Sequence, residues 1–160
     1  MQIAVRPSAG GAEKILTDFK TGYFYKPVWS PDSDKLAFSD NLHQLWWLDV
    51  KTRKLTKIAQ DKYNEVHDYA WSPDSRWLTY SLSTDNQMRG IWLYNLADNK
   101  ATAISSPMDA DFNPVVDPDG KYLYFISARH ENPTFSQSEF NIAMLKMTGI
   151  YAATLTRDEA

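Results

Sequence analysis

Apolar and polar residues alternate with period two in several short runs of this chain. Leu36 and Phe38 flank Ala37, Leu78 and Tyr80 flank Thr79, and Leu123 and Phe125 alternate with Tyr122, Tyr124 and Ile126. Such alternation, rich in aromatic and branched residues, predicts strands with distinct faces. Each run follows a compact polar turn: Ser30-Pro31-Asp32-Ser33, Ser72-Pro73-Asp74-Ser75 and Asp117-Pro118-Asp119-Gly120. Proline pre-sets φ for a turn, aspartate hydrogen-bonds the backbone two residues on, and Gly120 tolerates positive φ. Before each turn lies a short apolar segment: Val28-Trp29, Ala70-Trp71 or Val115-Val116. The unit is therefore a tight hairpin, and it occurs three times.

The hairpins stand 42 residues apart (Trp29 to Trp71) and then 45 (Trp71 to Val116). A four-stranded propeller blade is the repeat of that length. Third and fourth strands follow the first two hairpins: Gln44–Val50 with Lys54–Ala59, and Gly90–Leu96 with Lys100–Ile104. After the third hairpin the pattern departs. A long insertion, 128–139, precedes an expected strand at Phe140–Leu145 and a last one at Tyr151–Leu155. Residues 1–18 supply only two short strands, matching the outer pair of the later units.

The expected fold is all-β, a β-propeller segment of about three and a half four-stranded blades. Its divisions are a partial blade at 1–18, blades at 26–60 and 69–106, and a blade at 113–156 carrying the insertion. Propellers close into rings of typically four to eight blades, which hides their edges. The expectation is an open arc cut from a larger chain; the alternative is half of a ring completed by a second copy. Either way the open edges predict self-association.

Composition narrows the partners. The 160 residues are 43% hydrophobic and 14% aromatic, enough for a packed core. A net charge of −3 offers no basic face to nucleic acid. No apolar run is long enough for a membrane helix. With no cysteine there is neither a disulfide framework nor a thiolate nucleophile. The N-terminus lacks the regions of a signal peptide, so the compartment, cytoplasmic or periplasmic, stays open.

The chemistry-bearing residues read as structural. Ser30 and Ser72 sit in hairpin turns, and their third counterpart is Asp117, which argues for a turn role over a nucleophile. Asp117-Pro118-Asp119-Gly120 has Ala128 where a calcium loop needs a bidentate glutamate. His43, His67 and His130 lack metal-ligand spacing, and His67 reads as a hydrogen-bonded rim residue. No catalytic residue, metal site or cofactor is expected. Trp46-Trp47 and Trp92-Leu93-Tyr94 suit packing between blades better than sugar stacking. Trp29 and Trp71 are expected against the adjacent second strands, with a channel-facing role open. Lys51, Arg53 and Lys54 form a solvated basic turn. The length of the insertion singles it out as the expected functional stretch, and Arg129, His130, Glu131, Asn132 and Phe135 are its candidate interaction residues.

Trp71-Ser72-Pro73-Asp74-Ser75 before an alternating strand resembles the repeats shared by TolB-like and tricorn-protease-like propellers. The last third, from Phe112 through Arg129-His130-Glu131-Asn132-Pro133-Thr134-Phe135 to Leu155-Thr156-Arg157-Asp158-Glu159, resembles the closing blades of a propeller in tricorn proteases and their bacterial homologues. That resemblance implies a non-catalytic segment of a serine peptidase that gates and guides peptide substrates. The family's catalytic and PDZ parts have no counterpart in this chain, so no catalytic residue carries over. The rival implication is a TolB-type module that binds a protein partner.

Overall fold

The computed structural model describes residues 1–106, 108–129 and 148–155. Among them every regular element is a β-strand, and all pair antiparallel. A two-stranded sheet pairs β1 (Ala4–Val5) with β2 (Lys14–Ile15). The first full sheet runs in order β3 (Phe24–Trp29), β4 (Lys35–Asp40), β5 (Gln44–Asp49) and β6 (Leu55–Gln60). The second repeats it with β7 (Tyr69–Trp71), β8 (Trp77–Ser83), β9 (Arg89–Asn95) and β10 (Lys100–Ala103). The third contains β11 (Asp111–Val116), β12 (Tyr122–Ser127) and β13 (Gly149–Thr154).

One expectation is corrected here. A strand at Phe140–Leu145 was to lie between the hairpin and the strand near Tyr151. Instead β13 pairs directly with β12, from Tyr122↔Thr154 to Ser127↔Gly149. Since β11 holds the other edge of β12, the last strand takes the third place in its sheet. The physical reason is in the alternation: Tyr151 and Ala153 continue the buried face of Leu123 and Phe125, a match that sequence spacing does not reveal. Residues 140–145 lie outside the described residues.

The repeated turns are built alike. The Ser30 hydroxyl donates to Asp32 Oδ1 (2.6 Å) and accepts the Lys35 amide (3.0 Å). The Ser72 hydroxyl donates to Asp74 Oδ1 (2.6 Å) and accepts the Trp77 amide (2.9 Å). Asp117 keeps only the accepting role, its carboxylate taking the amides of Asp119 (2.6 Å) and Tyr122 (2.8 Å). Ser33, Ser75 and Gly120 follow at φ of 59°, 59° and 73°. Only glycine reaches that region without steric cost.

The sheets pack face to face through residues that alternate along each second strand. Leu36 and Phe38 point to the β1–β2 pair, where Ile3 and Leu16 meet them. Ala37, Leu45 and Trp47 point the other way, onto Val66 of the connection and Tyr69, Trp71, Leu78 and Tyr80 of the next sheet. Leu123, Phe125 and Val116 then join Ile91 between the second and third sheets. Each fully buried Leu or aromatic of this kind contributes about 1.5–3 kcal/mol. The tryptophans follow suit: Trp47 is buried in the interface and Trp46 stacks edge-on to Phe19. Among the described residues nothing covers the outward face of the third sheet, and Val115, Tyr124 and Ile150 are exposed on it.

Candidate functional site

The first strands of successive sheets are where the sheets converge. The Tyr69 hydroxyl on β7 reaches both carbonyls of a bulge in β3, Lys26 O at 2.6 Å and Tyr25 O at 3.0 Å. Two residues on, the Trp71 indole N–H donates to Val28 O (3.1 Å). Lys26 itself lies at φ 47° ahead of Pro27. That positive φ, with the missing proline amide, breaks the ladder and turns the two carbonyls toward Tyr69. Asn113 before Pro114 repeats the device in β11, at φ 52°. Burial pushes the Tyr69 hydroxyl up to about 12. Trp71 is thus buried against the preceding first strand, while Trp29, at the start of the arc, is 47% exposed.

At the end of these strands opposite the Ser-Pro-Asp turns, charged groups gather. Lys26 Nζ donates to His67 O (2.9 Å), and His67 Nε2 faces Glu65 Oε2 at 2.9 Å. His67 therefore partners Glu65 and not its sequence neighbour Asp68. Asp68 accepts from the Ser81 hydroxyl and from Arg89 Nη1, each at 3.2 Å. In the third sheet Arg129 closes a tighter cluster. Its Nη2 donates to both Asp111 oxygens (3.2 and 3.0 Å) and stands 3.6 Å from Asp109, while its Nε donates to Ser127 Oγ (2.7 Å). The guanidinium also lies 4.6 Å from the Tyr151 ring centroid. Asp111 is completely buried.

Arg129 was singled out as an interaction residue, and its bonds run inward, fixing the point where the chain leaves β12. His130, Glu131, Asn132 and Phe135 lie outside the described residues. Sequence reasoning missed Asp111, Tyr69 and the role of Asp40. Asp40 is buried and accepts from the amides of Leu42 and Gln44 and from the Trp46 indole. An aspartate at a strand end was the available signal, but nothing in sequence distinguishes a buried carboxylate from a solvated one.

Among the described residues the arrangement holds charges in place through mutual bonds. Ser30 and Ser72 spend their hydroxyls on turn carboxylates. At Asp32, burial opposes ionisation, but hydrogen bonds from Lys35, Ser30 and the Asp34 amide outweigh it and hold the carboxyl down at about 2. His43 occupies a turn between β4 and β5 at φ 62°, its amide bonded to Asp40 O. Among the described residues no three His, Asp or Glu side chains cluster as a metal site would require. No helix among them is long and apolar enough to cross a membrane.

A separate feature lies at the turn end of the arc. A cleft of about 360 Å³ opens between the second and third sheets, lined by Asp74, Trp77, Leu93, Val116, Gly120 and Leu155 among others.

Comparison with known proteins agrees with this geometry. The family model of the tricorn protease second beta propeller domain matches residues 1–160. A tricorn protease homolog of Saccharolobus solfataricus is 32% identical over 146 residues, covering 91% of this chain and 13% of that protein. A TolB homolog of Chlorobium chlorochromatii is 32% identical over 117 residues, 71% of this chain and 26% of its own length. The crystal structure of the tricorn protease superposes with a TM-score of 0.78 at 20% identity, over 91% of this chain and 15% of that one. TolB from Acinetobacter baumannii gives 0.64 at 17% identity, over 98% and 35%. At those identities the structures speak for the fold alone, and the chain spans between 13% and 35% of the length of these four proteins. With the family model covering its whole length, the chain belongs to the tricorn protease second β-propeller domain family.

Proposed function

We propose that this chain is a non-catalytic propeller segment of a tricorn-like serine peptidase, which admits and guides extended peptides. The observation that carries the reading is the charged rim on the converging strands: Lys26, Glu65, His67, Asp68, Arg89, Asp109 and Arg129 are positioned by mutual bonds, with no hydroxyl activated beside a base. Such a rim selects by charge and releases what it selects, because a ligand charge at a rim that water reaches is held weakly. With a net charge of −3, the chain should hold basic and neutral peptides over acidic ones.

Fluorescence anisotropy with labelled casein-derived peptides of opposite net charge tests this, with product analysis run in parallel. Salt-sensitive binding of the basic peptide without cleavage is the expected result. Equal indifference to both peptides, or cleavage by this chain, would refute it.

The second reading is a TolB-type module for a folded protein partner. Its support is the TolB homolog at 32% identity over 71% of the chain. A parent gene continuing into PDZ and serine-peptidase sequence excludes it; a folded partner that competes with no peptide favours it.

A further inference from the structure

The cleft between the second and third sheets borders a turn position that differs from its counterpart one sheet earlier. Between the first and second sheets, the turns touch: the Asp32 amide donates to the Ser75 hydroxyl at 3.0 Å, and Ser75 is buried. The corresponding pair one sheet further on is the Asp74 amide and position 120. Glycine stands there, so the acceptor oxygen is missing and so is the carbon that carries it. A Cβ built on Gly120 meets nothing within 4 Å. The Asp74 amide has no acceptor among the described residues, and Asp74 and Gly120 both border the cleft. Its walls are mixed: Trp77, Leu93, Val116 and Leu155 supply an apolar part, and Asp74, Arg76 and Asp119 a polar edge.

We infer that this cleft is a binding site for an apolar side chain, preferably aromatic, whose neighbouring peptide carbonyl accepts the Asp74 N–H that Ser75 Oγ satisfies for Asp32 in the sheet before. The structure thus supplies the template for its own ligand. An oxygen acceptor two or three bonds from an apolar group takes the place of the absent serine, and the apolar group fills the space against Trp77. The Asp74 turn is exposed, so its amide gains from a ligand acceptor only as far as the apolar body beside it displaces water. Arg76 Nε is already held by Asp74 Oδ2 at 2.7 Å, so the rim carboxylate of Asp74 is neutralised toward a neutral ligand. The site shares only its ligand class with the peptide-guiding function proposed above. It lies at the opposite end of the strands from the charged rim.

The test is an NMR titration of the ¹⁵N-labelled chain with N-acetyl-phenylalaninamide, which carries an aromatic ring and neutral carbonyls. The amides of Asp74 and Gly120 and the Trp77 indole should shift together and saturate in the millimolar range, roughly what one ring and one hydrogen bond give. Gly120→Ser restores the internal acceptor and should weaken binding by about 10-fold or more. That variant should fold, because Ser33 and Ser75 occupy the same turn position at φ 59°. The probe 2-phenylethylammonium, which has the ring but no acceptor, should also bind about 10-fold more weakly.

Shifts centred elsewhere, unchanged affinity in Gly120→Ser, or equal affinity for 2-phenylethylammonium would each overturn the assignment. The last would transfer recognition to the carboxylate of Asp119. Because the readout is residue-specific, these signals stand or fall separately from rim binding read by anisotropy.

Discussion

Arg129→Ala tests whether the charged cluster of the third sheet is a structural anchor. Asp111 is completely buried, and its carboxylate takes both of its bonds from Arg129 among its side-chain partners. Removing one partner of a buried pair leaves an uncompensated charge and costs about 3–5 kcal/mol. The Arg129 side chain is 31% exposed, so water reaches the pair and the figure falls to about 2–3 kcal/mol. Loss of the cation–π contact with Tyr151 adds about 0.5–1 kcal/mol. The total is about 3 kcal/mol. With a urea m-value of about 2 kcal/mol/M, the midpoint should fall by about 1.5 M. Urea titration followed by tryptophan fluorescence measures this directly. The double variant Arg129→Ala with Asp111→Ala should cost less than the sum of the singles by at least about 1 kcal/mol, since neither charge is then stranded. A loss below about 0.5 kcal/mol in the single variant, or strict additivity in the cycle, would refute the anchoring argument.

Three further outcomes are expected. Tyr69→Phe removes the hydroxyl shared by the Tyr25 and Lys26 carbonyls and should cost about 1–2 kcal/mol in the same titration. Because burial raises the Tyr69 pKa to about 12, its neutral form stabilises the fold fully below pH ~10, and that contribution is lost as pH rises to about 12; the variant's alkaline profile should be flatter across this window. Asp61 is resisted by burial, yet amide bonds from Ser83, Tyr63 and Asn64 hold its carboxyl below the usual range. Its contribution is present above pH ~3.9 and fades as pH falls through the lowered value, so Asp61→Asn should be less stable near neutrality and show a shallower acid limb in pH-dependent denaturation. The exposed face of Val115, Tyr124 and Ile150 should make the chain associate with rising concentration. Sedimentation velocity should show Tyr124→Lys with Ile150→Lys shifting it toward monomer, and a wild-type monomer at every concentration would contradict the reasoning.

The alternation around Leu36, Leu78 and Leu123 was legible because period-two patterning is a local property of a half-buried strand. The turns were legible for the same reason: proline, aspartate and glycine act through their own φ and their near neighbours. The roles of Ser30, Ser72 and Asp117 followed from their interchange at one turn position, and their hydrogen bonds to backbone amides explain why either side chain serves. The third sheet was less legible. Its strand β13 is separated from β12 by a long connection, and which segment pairs with an edge depends on a non-local match of buried faces. The candidate loop residue Arg129 read as exposed because its partners Asp109 and Asp111 are distant in sequence and their burial has no local signature.

The sequence by itself determined the repeated hairpin, the all-β class and the repeat length, since each depends on residues within a few positions of one another. Only the tertiary structure decided what the repeats do differently. A serine at one turn and a glycine at the next hold the same positive-φ conformation, the serine at a small steric cost. Stacked side by side they are not: Ser75 bridges to Asp32, while Gly120 leaves a cleft beside Asp74. Likewise the Lys26-Pro27 bulge has meaning only once Tyr69 is brought within 2.6 Å of its carbonyl. Local chemistry sets the unit, and the contact between units turns small substitutions into bonds or into empty space.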